Sequence, residues 1–229
     1  MNLKLISMAV YATYLTNKFG FLLKNEKDKD KKMLLREEYT KTLFKKLKIK
    51  VNVINKEKLP QDGKYLLISN HRSIVDPLII ETALKETKIR GFWIAKKELY
   101  NSFFFGLFTR NAGSILLDRE AKNMAPFFKD IKEVVKSDNS IYIFPEGTRN
   151  KENTPLSNFK EGARVIALKN RLPILPVYIK TNANEVLKEA INSRSEELTI
   201  DIEIGELIDY KDKTSLEDNY RNIFNLNSK

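Results

Sequence analysis

Seven short apolar runs punctuate the chain: KVNVI at 50–54, YLLIS at 65–69, GFWIA at 91–95, GSILL at 113–117, SIYIF at 140–144, ILPVYI at 174–179 and LTIDIEI at 198–204. They are short and rich in β-branched and aromatic residues, which reads as strand. Helical periods fill the intervals near 77–86, 98–109, 122–137, 159–170 and 183–193. A last one at 215–225 carries Leu216, Tyr220, Ile223 and Phe224 on one side, after the capping-box pattern Thr214-x-x-Glu217. Apolar strands alternating with helices predict an α/β fold, a mostly parallel central sheet of about seven strands covered by helices.

The first 48 residues follow a different pattern. Residues 3–23, LKLISMAVYATYLTNKFGFLL, are apolar and aromatic, but Lys4, Ser7, Thr13, Thr16, Asn17 and Lys18 interrupt them. No run approaches the roughly 18–20 apolar residues of a spanning helix. A signal peptide is disfavoured as well, because no small-residue cleavage site follows and Lys18 breaks the apolar stretch. After the charge run KNEKDKDKK, Leu35, Tyr39, Leu43 and Leu47 recur at steps of four, with Lys41, Lys45, Lys46 and Lys48 around them. Two amphipathic helices joined by a charged hinge are expected at 1–48, lying in the headgroup layer of an anionic membrane. The same pattern also fits helices that pack on the globular body. Residues 49–229 form the α/β domain on this reading.

Composition narrows the chemistry. The 229 residues hold 41 Lys/Arg against 30 Asp/Glu, a net +11, and residues 1–50 alone hold 13 basic against 5 acidic side chains. Such a chain is drawn to polyanions. The surplus is concentrated in the N-terminal helices, whereas nucleic-acid binding favours basic residues interleaved with aromatics on one face; no nucleic-acid partner is expected. There is no cysteine and a single histidine. That excludes a thiol nucleophile, a disulfide framework and a multi-histidine metal site; no metal site is expected. G-x-S-x-G, G-x-x-x-x-G-K-[ST] and G-x-G-x-x-G are all missing.

The histidine stands in LLISNHRSIVDP, residues 66–77, just where a strand-like run ends. Open α/β sheets place their sites at the carboxyl ends of strands. Asp76 precedes Pro77, a position that suits the N-cap of a helix starting at 77. The loop between can bring His71 back over that helix start, so that Asp76 accepts Nδ1–H and Nε2 is left as a base. An isolated pair at this spacing is as well explained by a cap and a loop residue.

Its company decides the matter. NHRSIVDP resembles the N-H-x-x-x-x-D block of the glycerolipid acyltransferases. GSILLDR at 113–119 is similar to that family's second block, FPEGTR at 144–149 matches the third residue for residue, and LPILPVYI at 172–179 is similar to the fourth. FKEGA at 159–163 resembles the stretch between the last two, and the two N-terminal helices resemble the membrane-docking element of bacterial members. The likeness covers about residues 60 to 180.

The resemblance implies transfer of an acyl group from a thioester to the sn-2 hydroxyl of lysophosphatidic acid at the cytoplasmic face of the membrane, without a cofactor. The alternatives are another acceptor, such as glycerol-3-phosphate, a lyso-ornithine lipid or another lysophospholipid, and a non-enzymatic basic membrane adaptor, which explains the charge but not four ordered blocks. The donor is an acyl carrier protein or a coenzyme A thioester. His71 is the implied general base and Asp76 its orienting carboxylate. Glu146, Gly147, Thr148 and Arg149 are assigned to acceptor binding, with Arg119 as a second cation for the phosphate. A planar guanidinium grips two phosphate oxygens at once. Glu146 is the odd member beside a phosphate; holding an arginine or binding a glycerol hydroxyl are its two expected roles. Lys96 and Lys160 carry suitable charge but stay outside the expected site as ordinary solvated lysines. NSFFFGLF at 101–108 suits an acyl channel, a lipid contact or a buried helix.

Overall fold

The computed structural model describes residues 3–152, 154–193 and 196–226. Seven strands form one sheet: β1 (Ile49–Ile54), β2 (Leu66–Ser69), β3 (Gly91–Lys96), β4 (Ser114–Leu117), β5 (Ser140–Ile143), β6 (Ile174–Ile179) and β7 (Leu198–Ile204), in the order β1-β7-β6-β2-β5-β3-β4. Every pairing is parallel except β6 with β7. The nine α-helices among the described residues are α1 (Leu3–Asn25), α2 (Lys29–Leu47), α3 (Asp76–Leu84), α4 (Lys97–Tyr100), α5 (Gly106–Asn111), α6 (Ala125–Lys136), α7 (Gly162–Asn170), α8 (Ala183–Asn192) and α9 (Leu216–Ile223).

Strand composition follows position in the sheet. Central β2 and β6 are buried on both faces and read as unbroken apolar runs. Near the edge, β7 alternates: Ile200, Ile202 and Ile204 point inward, whereas Asp201 and Glu203 accept from Asn52 and Asn55. Each sheet face supports its own apolar layer. Leu67, Leu175 and Val177 join the layer built with α1, α2, α3 and α8. Leu66, Ile68 and Ile174 join the layer built with α6, α7 and α9.

The N-terminal helices differ in what they face. The α2 stripe of Tyr39, Leu43 and Leu47 is buried in the protein core, so this helix packs on the globular body and does not present its apolar face to lipid. Helix α1 buries Met8, Leu15, Phe19 and Leu23 on that same body. At Gly20 a Cβ would meet Leu107 Cγ at 2.9 Å, so the glycine permits the close approach of α5. The other side of α1 exposes Leu3, Ile6, Val10, Tyr14 and Phe21 at helical spacing along one line. No helix among the described residues is long and apolar enough to cross a membrane.

Several boundaries differ from expectation, each for a local reason. The helix expected at 98–109 is two, α4 and α5, because Ser102 Oγ accepts from the Phe104 and Phe105 amides and turns the chain. Helix α6 starts at 125 after Asn123 accepts the Ala125 amide, and α7 starts at 162 because the Phe159 amide is taken by Glu217. Glu217 is thereby removed from the expected capping box. Ser215, not Thr214, caps α9 through its hydroxyl and the Asp218 amide.

Candidate active site

Asp76 is not the N-cap of the following helix. Val75 holds that position without a side-chain bond, and Asp76 is the first residue of α3. Its carboxylate points back into the loop instead. Asp76 Oδ2 accepts the Arg72 amide at 2.7 Å and the Ser73 amide at 2.7 Å, and lies 2.8 Å from His71 Nδ1. Asp76 Oδ1 is buried without a partner. An acceptor fixed this way selects the tautomer with hydrogen on Nδ1. Nε2 of His71 then carries the lone pair, and it has no hydrogen-bond partner among the described residues.

Phe144 covers one face of the imidazole, and the backbone of His71 is fixed on both its amide and its carbonyl. Its ring stacks on Phe144, with centroids 4.0 Å apart and an interplanar angle of 9°, and Phe144 stacks in turn on Trp93. The His71 amide donates to Glu146 Oε1 at 2.6 Å, and the His71 carbonyl accepts from the Asn150 amide at 2.7 Å. The segment after β5 is therefore laced along the histidine. Next to it, the Asn70 side chain accepts from the Ile179 amide and donates to the Ile179 carbonyl. The Asn70 amide donates to the Tyr220 hydroxyl, which donates to the Val177 carbonyl. Arg72 spans the Ile179, Lys180 and Thr181 carbonyls at the end of β6.

Glu146 is buried and faces neither an arginine nor open solvent. Oε1 takes the His71 amide, and Oε2 takes the Ser157 amide and hydroxyl. Burial raises its carboxyl above the ordinary value, while the bonds from Ser157 and His71 pull it back. Gly147 has φ +72, a conformation open to glycine, and its carbonyl accepts from Arg119 Nη2 at 2.8 Å. A Cβ there would come within 2.5 Å of that same nitrogen. Thr148, Arg149 and Arg119 are exposed.

Lys96, at the end of β3, belongs to this group although the sequence reading left it out. Partial burial lowers its pKa first, and the positive charges of Arg119 and Arg149 lower it further, against the opposing pull of Glu98. Its neighbour Lys97 is taken up by Asp118 at 2.7 Å. Three cations, Lys96, Arg119 and Arg149, thus come from the carboxyl ends of β3, β4 and β5, the same edge of the sheet as the histidine after β2. The one sequence signal for Lys96 was its place directly after an apolar strand. Asn70, Ser157 and Tyr220 carried no signal of their own, since their contacts span 11 to 150 residues of chain.

A base backed by a carboxylate, with clustered cations at the same carboxyl edge of a parallel sheet, suits proton transfer on an anionic substrate. Residues 50–180 match the family model described as acyltransferase, and the chain belongs to that family. It is 38% identical over 129 residues to the 1-acyl-sn-glycerol-3-phosphate acyltransferase of Helicobacter pylori, covering 55% of this chain and 53% of that protein. A probable 1-acyl-sn-glycerol-3-phosphate acyltransferase of Mycoplasma genitalium is 30% identical over 189 residues, covering 76% of this chain and 69% of the relative. The chain spans little more than half the length of several curated relatives that it matches. The crystal structure of the 1-acyl-sn-glycerophosphate acyltransferase from Thermotoga maritima shares the fold, with TM-score 0.67 at 22% identity over 96% of this chain and 91% of that one.

Proposed function

We propose that the protein transfers a fatty acyl group from an acyl thioester to the sn-2 hydroxyl of 1-acyl-glycerol-3-phosphate, yielding phosphatidic acid. The observation that carries this reading is the His71–Asp76 pair, 2.8 Å apart with Nε2 unbonded, at the same carboxyl edge of the sheet that carries Lys96, Arg119 and Arg149 after β3, β4 and β5. The names of the curated relatives support the choice of acceptor.

An alcohol is a weak nucleophile at neutral pH, and a positioned base is worth about 10²–10⁴-fold. His71 Nε2 takes the hydroxyl proton as the oxygen attacks the thioester carbonyl. Asp76 stabilises the imidazolium that develops. When the carbon–sulfur bond breaks, the thiolate leaves and the imidazolium returns the proton to it. Lys96, Arg119 and Arg149 hold the acceptor phosphate and so place the hydroxyl at Nε2. Gly147 leaves room for Arg119, and Glu146 fixes the backbone of His71. Both donor classes, acyl carrier protein and coenzyme A thioester, are anionic and suit a chain of charge +11. The exposed stripe of α1 rests in the headgroup layer on the cytoplasmic face, bringing the site to a lipid-borne acceptor.

The test is transfer of a radiolabelled acyl group, from each thioester in turn, to lysophosphatidic acid, glycerol-3-phosphate, lyso-ornithine lipid and other lysophospholipids. Transfer to lysophosphatidic acid that His71→Ala abolishes is the expected result. Preference for another acceptor overturns the substrate, and transfer that survives His71→Ala overturns the mechanism.

A further inference from the structure

A cleft of ≈ 230 Å³ lies at the amino ends of β3, β4 and β5, where Gly91, Gly113 and Asn139 line it. The histidine site stands at the carboxyl ends of the sheet. Gly91 and Lys96 are the two ends of β3, roughly 17 Å apart at a rise of about 3.3 Å per residue. The cleft is therefore a separate place in the fold.

Its walls are basic. Lys27, Lys29, Lys32, Arg36 and Arg90 line it against a single carboxylate, Asp30. Arg36 is largely engaged within the protein: its Nε lies 3.5 Å from Glu81 Oε2 and its Nη1 donates to the Ala112 carbonyl at 2.7 Å. Lys32 and Arg90 donate to the backbone carbonyls of Asn111 and Thr87, contacts that leave their charge in place. Among the described residues, Lys27, Lys29, Lys32 and Arg90 form no ion pair with a carboxylate. The first-turn amides of α2 are already capped by Asp28, so the side-chain cations are what the cleft offers.

Cations gathered in a concave site favour a compact, multiply charged anion, bound through charge-assisted hydrogen bonds. We propose that the cleft is a second anion site, which takes a phosphomonoester group. Two sources share that chemistry: a soluble phosphate ester, and the headgroup of an anionic lipid. Lys27 follows closely on Phe21 and Leu22, exposed apolar residues of α1, which puts the cleft within reach of a headgroup. The site does not depend on the catalytic reading, since no residue is shared.

The experiment uses the full chain carrying Arg119→Gln and Arg149→Gln, which removes the exposed cations of the histidine site. Glycerol 1-phosphate is titrated calorimetrically, and flotation is measured with phosphatidylcholine vesicles with and without phosphatidic acid. Lys27→Gln/Lys29→Gln/Lys32→Gln tests the cleft. Lys31→Gln/Lys41→Gln/Lys45→Gln removes the same charge from exposed positions that do not line it. We expect the first triple variant to weaken binding at least tenfold more than the second, and the matching Lys→Arg triple to restore it. Loss confined to the soluble ester identifies a soluble ligand, and loss confined to phosphatidic acid vesicles identifies a headgroup. Equal loss in both triple variants, or no cleft-dependent binding of either probe, overturns the proposal.

Discussion

One oxygen, Asp76 Oδ2, accepts two backbone amides and stands against His71 Nδ1, while Oδ1 is buried with no partner. This asymmetry shapes the effect of Asp76→Asn. The amide oxygen can replace Oδ2, but the NH₂ group then occupies the position of Oδ1 as an unsatisfied donor, a cost of about 1–3 kcal/mol. A simple helix cap would lose under about 1 kcal/mol on the same change. We expect kcat to fall by about 10²–10⁴, from the missing negative charge beside the imidazolium. Denaturation midpoints measured beside kcat separate the two roles: near-full activity with lowered stability would leave Asp76 only a structural residue. Lys96 supplies a test in pH. Its pKa is lowered from 10.5, so it loses its proton earlier than an ordinary lysine as pH rises. The KM for a phosphate-bearing acceptor should climb through that lowered value, whereas Lys96→Met should show a high KM with no such step. Stability moves the other way. Between the folded and unfolded pKa the unfolded chain binds more protons, so the native state gains as pH rises through the window. A KM that is flat in the wild type would remove Lys96 from the phosphate site. At this scale the sequence showed the pair but not its geometry. His71 and Asp76 were visible in NHRSIVDP, but which Asp76 oxygen faces the ring depends on the amides of Arg72 and Ser73. Glu146 read as a ligand contact because the sequence cannot show Ser157 folding onto it.

Helices α1 and α2 look alike in sequence and behave differently in the fold. A stripe of apolar residues shows that a helix has an apolar neighbour, but not whether that neighbour is protein or lipid. For α2 it is protein: Leu43→Ala should cost about 2–5 kcal/mol, as for a core residue. For α1 one side is settled as protein, with Phe19 and Leu23 in the core, whereas the other exposes Val10, Tyr14 and Phe21, for which lipid is the proposed neighbour. Replacing those three exposed residues with serine should shift stability little, because they make no core contact. Each large apolar side chain contributes about 1.5–3 kcal/mol when removed from water. Membrane partition should therefore fall by more than ~10²-fold in flotation, with turnover of a dispersed short-chain acceptor preserved. Unchanged flotation would place the membrane contact elsewhere. Phe103 and Phe104, exposed just before α5, are the next apolar residues to examine. The strands were the most legible elements, because their runs are short, β-branched and bounded. The helix expected over 98–109 was not, since nothing in its period shows that Ser102 ends a turn.

Across the whole molecule, sequence order and spatial order diverge. Strand positions were readable, but the arrangement β1-β7-β6-β2-β5-β3-β4 and the single antiparallel pairing of β6 with β7 were not, because they are set by packing between distant segments. The site inherits that dispersion. Its base follows β2, its cations follow β3, β4 and β5, and its braces come from β6 and α9. The brace from α9 governs timing. Tyr220 is linked to Asn70 across 150 residues of chain, and its hydroxyl also donates to Val177. During synthesis the amino-terminal part of a chain emerges and begins to fold first. His71 thus leaves the ribosome long before the tyrosine that steadies its neighbour. A nascent chain can assemble β2 and its loop early, yet the bond from Asn70 to Tyr220 forms only when α9 docks. Completion of the candidate site is accordingly a late event in the birth of each molecule, and a partly made chain holds its histidine–aspartate pair without the last brace.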